Sequence, residues 1–176
     1  MSELRVGIVV VTYRNAEMTA RYIGQELKKL TCPYELVVVA NASTPQECAS
    51  LAAASGISVA DVVCSPDNLG YARGNNLGVR TLLQRGQFTH FLFSNDDIEI
   101  PQGDIVERLA RAMREHDDVA AIGPRIVGLD GRDQSPHDRY ISPYRLIGWR
   151  IFSFLRRGQR DGARALANDT PQSRYT

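Results

Sequence analysis

VGIVVVTY at residues 6–13 is an unbroken β-branched run, and ELVVVA at 35–40 is a second one. A strand with one wet face alternates apolar and polar residues. A run with no polar side suits a strand covered on both faces, as in a parallel sheet. Between these runs, residues 16–30 carry Met18, Tyr22, Ile23, Leu27 and Leu30 on one side of a predicted helix. Further along, TPQECASLAAAS predicts a helix with Thr44 as N-cap and Pro45 at its first position. A short strand is expected in VADVVCS at 59–65, and a helix that forms late in the stretch 70–86 and stops at Gly86. FTHFLFS gives the fourth strand and VAAIGP a fifth. The helix between these two, GDIVERLARAMREH, has Ile105, Leu109 and Met113 in its seam. Strand and helix alternate throughout. The fold class is therefore α/β, with a mostly parallel, Rossmann-like sheet, right-handed crossovers and helices on both faces.

Composition narrows the function classes. With 176 residues, 43% of them hydrophobic, the chain can build a real core. Its net charge of +1 gives no global field for nucleic acid. The apolar runs are too short to span a bilayer, and MSELRVGIVVV lacks the features of a signal peptide. Cys32, Cys48 and Cys64 form no CxxC pair and are expected as small buried side chains. An odd cysteine count without a signal peptide fits a reducing cytoplasm.

Ligands of open α/β sheets bind beyond the carboxyl ends of the strands. Thr12-Tyr13-Arg14-Asn15 follow the first strand, and Asn41-Ala42-Ser43-Thr44 the second. The third is followed by Pro66 to Asn76, including Asn68, Gly70, Arg73, Gly74 and Asn76, and the fourth by Asn95-Asp96-Asp97. Any one cluster is an ordinary turn; four on one sheet edge make a site. Gly70 and Gly74 would let backbone approach a ligand, and Arg73 could pair with phosphate oxygens. There is no GxxxxGK[ST] loop, and no GxGxxG after the first strand, which argues against Walker-type and nicotinamide sites. Asp96 and Asp97 offer hard oxygen ligands suited to Mg²⁺ or Mn²⁺.

Taken in order, VVVTYRN, VVVANAST, DNLGYARGNNLG and FSNDDIEIPQG resemble glycosyltransferase family 2, the GT-A fold group that includes rhamnosyltransferases of bacteria. The resemblance covers residues 5–135, with GPRIVGLDGRDQ similar to a segment that follows in that family. It implies that Thr12 and Tyr13 touch the nucleotide base, and that Asn41 belongs to the same site. Asn68, Gly70, Ala72, Gly74 and Asn76, with Arg73 among them, match the segment lining the nucleotide site. Asn95 and Asp96 would lie near ribose and diphosphate, and Asp97 would bind Mg²⁺ or Mn²⁺. The implied reaction is metal-assisted, inverting transfer of a sugar from a nucleotide-diphosphate donor to an acceptor hydroxyl, in polysaccharide or glycoconjugate synthesis. The implied acceptor is a saccharide or lipid-linked saccharide.

Two departures stand out. Ala40 occupies the place of an acid that contacts the base in relatives, and alanine accepts no hydrogen bond. The family's GxxxxxxR segment and its acidic ED motif, which supplies the catalytic base, are missing before Thr176. The expectation is thus a nucleotide-sugar domain over 1–135 and a C-terminal segment, 136–176, leading to an acceptor half that is missing here. The alternative is a degenerate, non-catalytic nucleotide-sugar-binding module; a nucleotidyltransferase is weaker, since VTYRNAEMT carries no Gly-rich basic loop.

Glu99 and Asp104 read as a strand-extension acid and a helix first-turn acid rather than as a base. His90 reads as structural, His116 as a helix-end residue, and His137 as a weak candidate for donor or metal contact. YRLIGWRIFSFLRR at 144–157 reads as a basic amphipathic helix, packed on the missing half or a second copy of the chain, or else resting peripherally on the inner face of a membrane.

Overall fold

In the computed structural model, residues 3–116 and 118–135 are described. The expectations at His137, at the 144–157 helix and for the tail lie outside them. Four strands form one parallel sheet: β1 (Val6–Tyr13), β2 (Tyr34–Asn41), β3 (Val62–Cys64) and β4 (His90–Ser94), in the order β3-β2-β1-β4. β1 pairs with β2 along its whole length, Val6 to Tyr34 through Tyr13 to Asn41. Its pairing with β4 ends at Val10–Ser94, so Val11, Thr12 and Tyr13 run on past the end of β4.

The unbroken apolar runs are explained by two cores. On one face Val6, Ile8, Val10, Leu36, Val38 and Ala40 pack with Tyr22, Ile23, Leu27, Leu51, Ala52 and Val106. On the other, Val9, Val37 and Val39 pack with Leu82. The period-2 split sends alternate residues of each strand to opposite cores. Helix α1 (Ala16–Arg21), continuing through a π turn (Tyr22–Glu26) and a 3₁₀ turn (Leu27–Lys29), supplies the first core. So do α2 (Pro45–Ser55) and α4 (Ile105–Arg114). Helix α3 (Gly70–Arg85) covers the second. After β3 the chain returns past β2 and β1 to reach β4. A right-handed crossover in that reversed direction must use the other face.

Helix α2 starts as its sequence predicts. Thr44 Oγ1 accepts from Glu47 N–H at 3.3 Å, Glu47 Oε2 accepts from Thr44 N–H at 2.7 Å, and Pro45 occupies the first turn. Elsewhere the structure corrects the reading. Helix α3 is helical from Gly70 itself, not only towards its end. Gly74 and Gly78 lie against Val11 and Val9, where an added Cβ would overlap the valine methyls. Gly74 therefore serves helix–sheet approach rather than ligand approach, and this packing outweighs the poor helix propensity of the segment. In α4 the most buried residues are Val106 and Ala110, one position on from the expected Ile105, Leu109 and Met113, which are partly buried, Ile105 against the first core. The third strand is confined to Val62–Cys64, with a 3₁₀ turn at Val59–Asp61 before it. Residues 119–124 form no strand and are mostly exposed. Cys48 and Cys64 are not separate thiols: a disulfide joins α2 to β3 across a Cα–Cα distance of 6.2 Å, while Cys32 stays free and buried.

The chain divides after Pro124. The described start of the second unit is a small hairpin, with Val127 bridging Asp133, Gln134 N–H donating to Ile126 O at 2.8 Å, and Gly131 at φ 76° in the turn. That matches the turn expected at Asp130-Gly131. Among the described residues no helix is long and apolar enough to cross a membrane.

The glycine seam gives a direct test. Gly78→Ala should cost about 1–3 kcal/mol in urea unfolding, because the methyl has no room against Val9. Gly24→Ala, with open space around its Cβ, should be neutral or stabilising by up to about 1 kcal/mol. Equal effects at the two positions would remove the packing role assigned to Gly78.

Candidate functional site

The reversal of chain direction between β3 and β4 puts the topological switch point between β1 and β4, where open α/β sheets form a crevice. The backbone bends sharply at the strand ends. Arg14, just past β1, has φ 54°, and Ala42, just past β2, has φ 48°. Left-handed conformations in non-glycine residues are strained and cluster at functional sites.

Asp96 and Asp97 do different things. Asp96 Oδ2 lies 2.6 Å from the hydroxyl of Thr19 in α1, which in turn lies 2.7 Å from Thr12 Oγ1 and 2.8 Å from Asn15 O. One hydroxyl proton serves one acceptor well, and a carboxylate is the strongest of those present. Thr19 therefore donates to Asp96 and accepts from Thr12. Thr19 and Thr12 are both buried, so this chain of hydroxyls fixes the Asp96 carboxylate from beneath. Asp97 is exposed, as are Asn95, Ile98 and Glu99. Turning one acid inward onto hydroxyls and the other out to water relieves the repulsion between neighbouring carboxylates.

The loop that carries them is anchored at both ends. Ser94, at the end of β4, hydrogen-bonds the buried Tyr22 hydroxyl, and burial pushes the Tyr22 phenol up from its ordinary value so that it stays protonated. At the far end Glu26 Oε2 accepts from Ile100 N–H at 2.5 Å, and Thr31 N–H donates to Gly103 O at 3.1 Å. The Ile100 amide, followed by Lys29, holds the Glu26 carboxyl below its ordinary value of 4.5.

The second and third clusters are stitched to each other. Asn41 is buried and its Oδ1 accepts from Leu69 N–H at 3.4 Å. Ala42 N–H donates to Asp67 O at 3.1 Å, and Ser43 N–H to Ser65 O at 2.9 Å. Asn68 Oδ1 accepts from Gly70 N–H at 2.9 Å and so steadies the start of α3, with Gly70 itself at φ 71°. Tyr13, Arg73 and Asn76 are exposed. Ala40 is buried in the first core.

The structure thus links Thr12 with Asp96, and Asn41 with the Asn68–Gly70 turn. Sequence reasoning missed Thr19 and Glu26. Thr19 had a signal: a lone hydroxyl on the apolar stripe of α1, one turn before Tyr22 and Ile23. Asn75 was missed as well; it is buried in α3 with Oδ1 unpaired. Among the described residues no three His, Cys, Asp or Glu side chains gather as a metal set. A cavity of 340 Å³ lies at the opposite end of the strands, lined by Tyr34, Glu35, Leu36, Ser55 and Arg85. Arg85 is committed there to Asp61, Leu36 O and Ala60 O.

The model of the family described as glycosyl transferase family 2 matches residues 7–171. The chain belongs to glycosyltransferase family 2. Solved structures similar to this family 2 chain include S. aureus TarS 1-349, at 21% identity and TM-score 0.46, covering 73% of this chain and 43% of that one. S. aureus TarS is a second, at 20% identity and TM-score 0.43, covering 73% and 26% respectively. The family 2 chain therefore spans less than half the length of either. No curated protein gives a significant match.

The Glu26 anchor of this family 2 chain makes a pH dependence calculable in sign. Its carboxyl is lowered in the folded state, so the unfolded chain binds more protons and stability rises with pH. Ile100 amide protection should be full above pH 4.5 and fall as pH drops through the lower folded-state value. In Glu26→Gln the protection should be reduced already at neutral pH. Protection that is independent of both pH and Glu26 would dismiss the anchor.

Proposed function

We propose that this chain is the donor half of a glycosyltransferase, binding a nucleotide-diphosphate sugar for transfer to an acceptor hydroxyl with inversion. The observation that carries the reading is the meeting of Thr12, Tyr13, Asn41, the Asn68–Gly70 turn and Asp96-Asp97 at the carboxyl ends of β1 to β4, in a chain of this family. Residues 1–135 form the donor part and 136–176 lead towards the acceptor part. The acceptor is a saccharide or lipid-linked saccharide, and the catalytic base is a carboxylate outside the residues named.

The donor set suits a hard divalent cation. Asp97, with Asp96 beside it, offers only carboxylate oxygens, and Mg²⁺ or Mn²⁺ is commonly held by one or two carboxylates together with substrate phosphates. When bound, the ion offsets the charge of the departing diphosphate. The chain's own residues do the positioning. Thr19 holds Asp96 in one orientation, and Glu26 and Thr31 fix the far end of its loop. At the start of α3 Asn41 and Asn68 take the Leu69 and Gly70 amides, and the remaining first-turn N–H groups and the positive end of the dipole favour phosphate. Arg73, exposed in its first turn, adds a cation.

Calorimetric titration with UDP, dTDP and GDP, each with and without Mn²⁺, tests this. Binding should require the metal, and Asp97→Ala should weaken it by about 10–100-fold, the scale on which disturbed metal sites lose affinity. Folded protein that binds none of them would point to the degenerate module. Binding that ignores both Mn²⁺ and Asp97 would dismiss the metal role.

A further inference from the structure

Two loops of the candidate site grow directly out of the elements that the disulfide joins. Cys64 is the last residue of β3, and the segment 65–70 that enters α3 begins at the next residue. Cys48 is the fourth residue of α2, which starts from the 41–44 loop, and its N–H donates to Thr44 O at 3.0 Å. The two loops then meet each other. Ser65 N–H donates to Ala40 O at 3.0 Å, Ser43 N–H to Ser65 O at 2.9 Å and Ala42 N–H to Asp67 O at 3.1 Å. The Leu69 amide reaches Asn41 Oδ1 at 3.4 Å. The disulfide closes this set into a ring that runs from β3 through segment 65–70 and loop 41–44 to the start of α2, and back through sulfur.

The covalent side of this ring supports two weakly tied pieces of chain. β3 pairs with β2 at three positions, Val38–Val62, Val39–Val63 and Ala40–Cys64, and no described strand lies on its other edge. Ala42 sits at φ 48°, a conformation that persists only where its surroundings hold it. A ligand that needs both loops in place must otherwise order them as it binds. A tie that orders them beforehand lowers that cost and raises affinity.

We propose that the Cys48–Cys64 pair is a redox-controlled clamp on the nucleotide site: the disulfide form holds a nucleoside diphosphate more tightly than the dithiol form. The inference rests on the donor-site reading above. A small dithiol opens the clamp by exchange. Cys64 is partly exposed and Cys48 is 2% exposed, so the reagent's thiolate attacks Cys64 Sγ. The S–S bond breaks, and Cys48 leaves as a thiolate that takes up a proton. The reagent's second thiol then displaces Cys64 from the mixed disulfide. Two electrons and two protons pass to the protein, and the reagent is left as a disulfide. Coupling is reciprocal, so bound nucleotide protects the protein disulfide from reduction by the same factor.

The test compares the air-oxidised chain with the same chain reduced by dithiothreitol and desalted without air, each titrated with UDP, dTDP and GDP in the presence of Mn²⁺. Thiol counting after denaturation should find Cys32 alone in the first form and all three cysteines in the second. Reduction should weaken nucleotide binding by about tenfold, inside the usual range for coupled sites. Cys48→Ser/Cys64→Ser should match the reduced chain before and after the same treatment; if that variant fails to fold, the two forms of the parent decide the matter. Amide exchange should quicken on reduction at Ala42, Ser43 and Leu69, with Val9 and Val37 unchanged. Equal affinity in the two forms, or exchange that quickens as much at Val9 and Val37, makes the bond a general staple and overturns the clamp. Three free thiols in the air-oxidised chain overturn it too. Each of these results leaves the donor-site reading standing, whereas no nucleotide binding by either form overturns both.

Discussion

From Val6 to Val10, β1 has no face left for solvent, and most of the molecule follows from that. One side of the strand is covered by α1 with its π and 3₁₀ turns, and the other by α3. The second cover is tight because α3 presents Gly74 and Gly78 to the valines of β1. A helix that close to the sheet brings its own first turn near the carboxyl ends of the strands. The same seam that closes the core therefore places the Asn68–Gly70 turn and Arg73 beside the strand ends.

Strands β1 and β2 were plain in the sequence because a continuous valine-rich run leaves few alternatives to a strand covered on both sides. The α2 boundary was equally plain, since Thr44, Pro45 and Glu47 specify a helix start by local chemistry alone. The beginning of α3 was hidden. Glycine-rich sequence reads as a loop, and only contact with Val9 and Val11, more than sixty residues earlier in the chain, makes it helical. In α4 periodicity marks the large apolar residues, which are partly buried, whereas the most buried positions are Val106 and the small Ala110. The Cys48–Cys64 pair lay beyond reach for a related reason, as nothing in local spacing shows that α2 lies over β3.

At the candidate site, residue types were legible and their division of labour was not. Asp96 and Asp97 are interchangeable on paper. A single buried hydroxyl, Thr19, separates them by drawing Asp96 inward and leaving Asp97 to water. Asn41 and Asn68 likewise looked like ligand contacts, yet each accepts a hydrogen bond from a backbone amide around the start of α3. Part of what reads as a binding motif is thus the scaffolding that holds the loops in register. The same residues could not serve as scaffold if the loops were free to rearrange around each new ligand.

The disulfide between α2 and β3 closes a loop of chain with a sequence separation of 16. Linking two points so far apart removes conformational freedom from the unfolded chain, on the order of 3 kcal/mol for a loop of this length. The same link also fastens one particular place. β3 is only three residues long, pairs with β2 alone, and leads directly into the turn that starts α3. The shortest strand of the sheet is fastened covalently to the helix above it. The redox state of the surroundings therefore acts as a setting on how firmly the β3 edge of the sheet holds together.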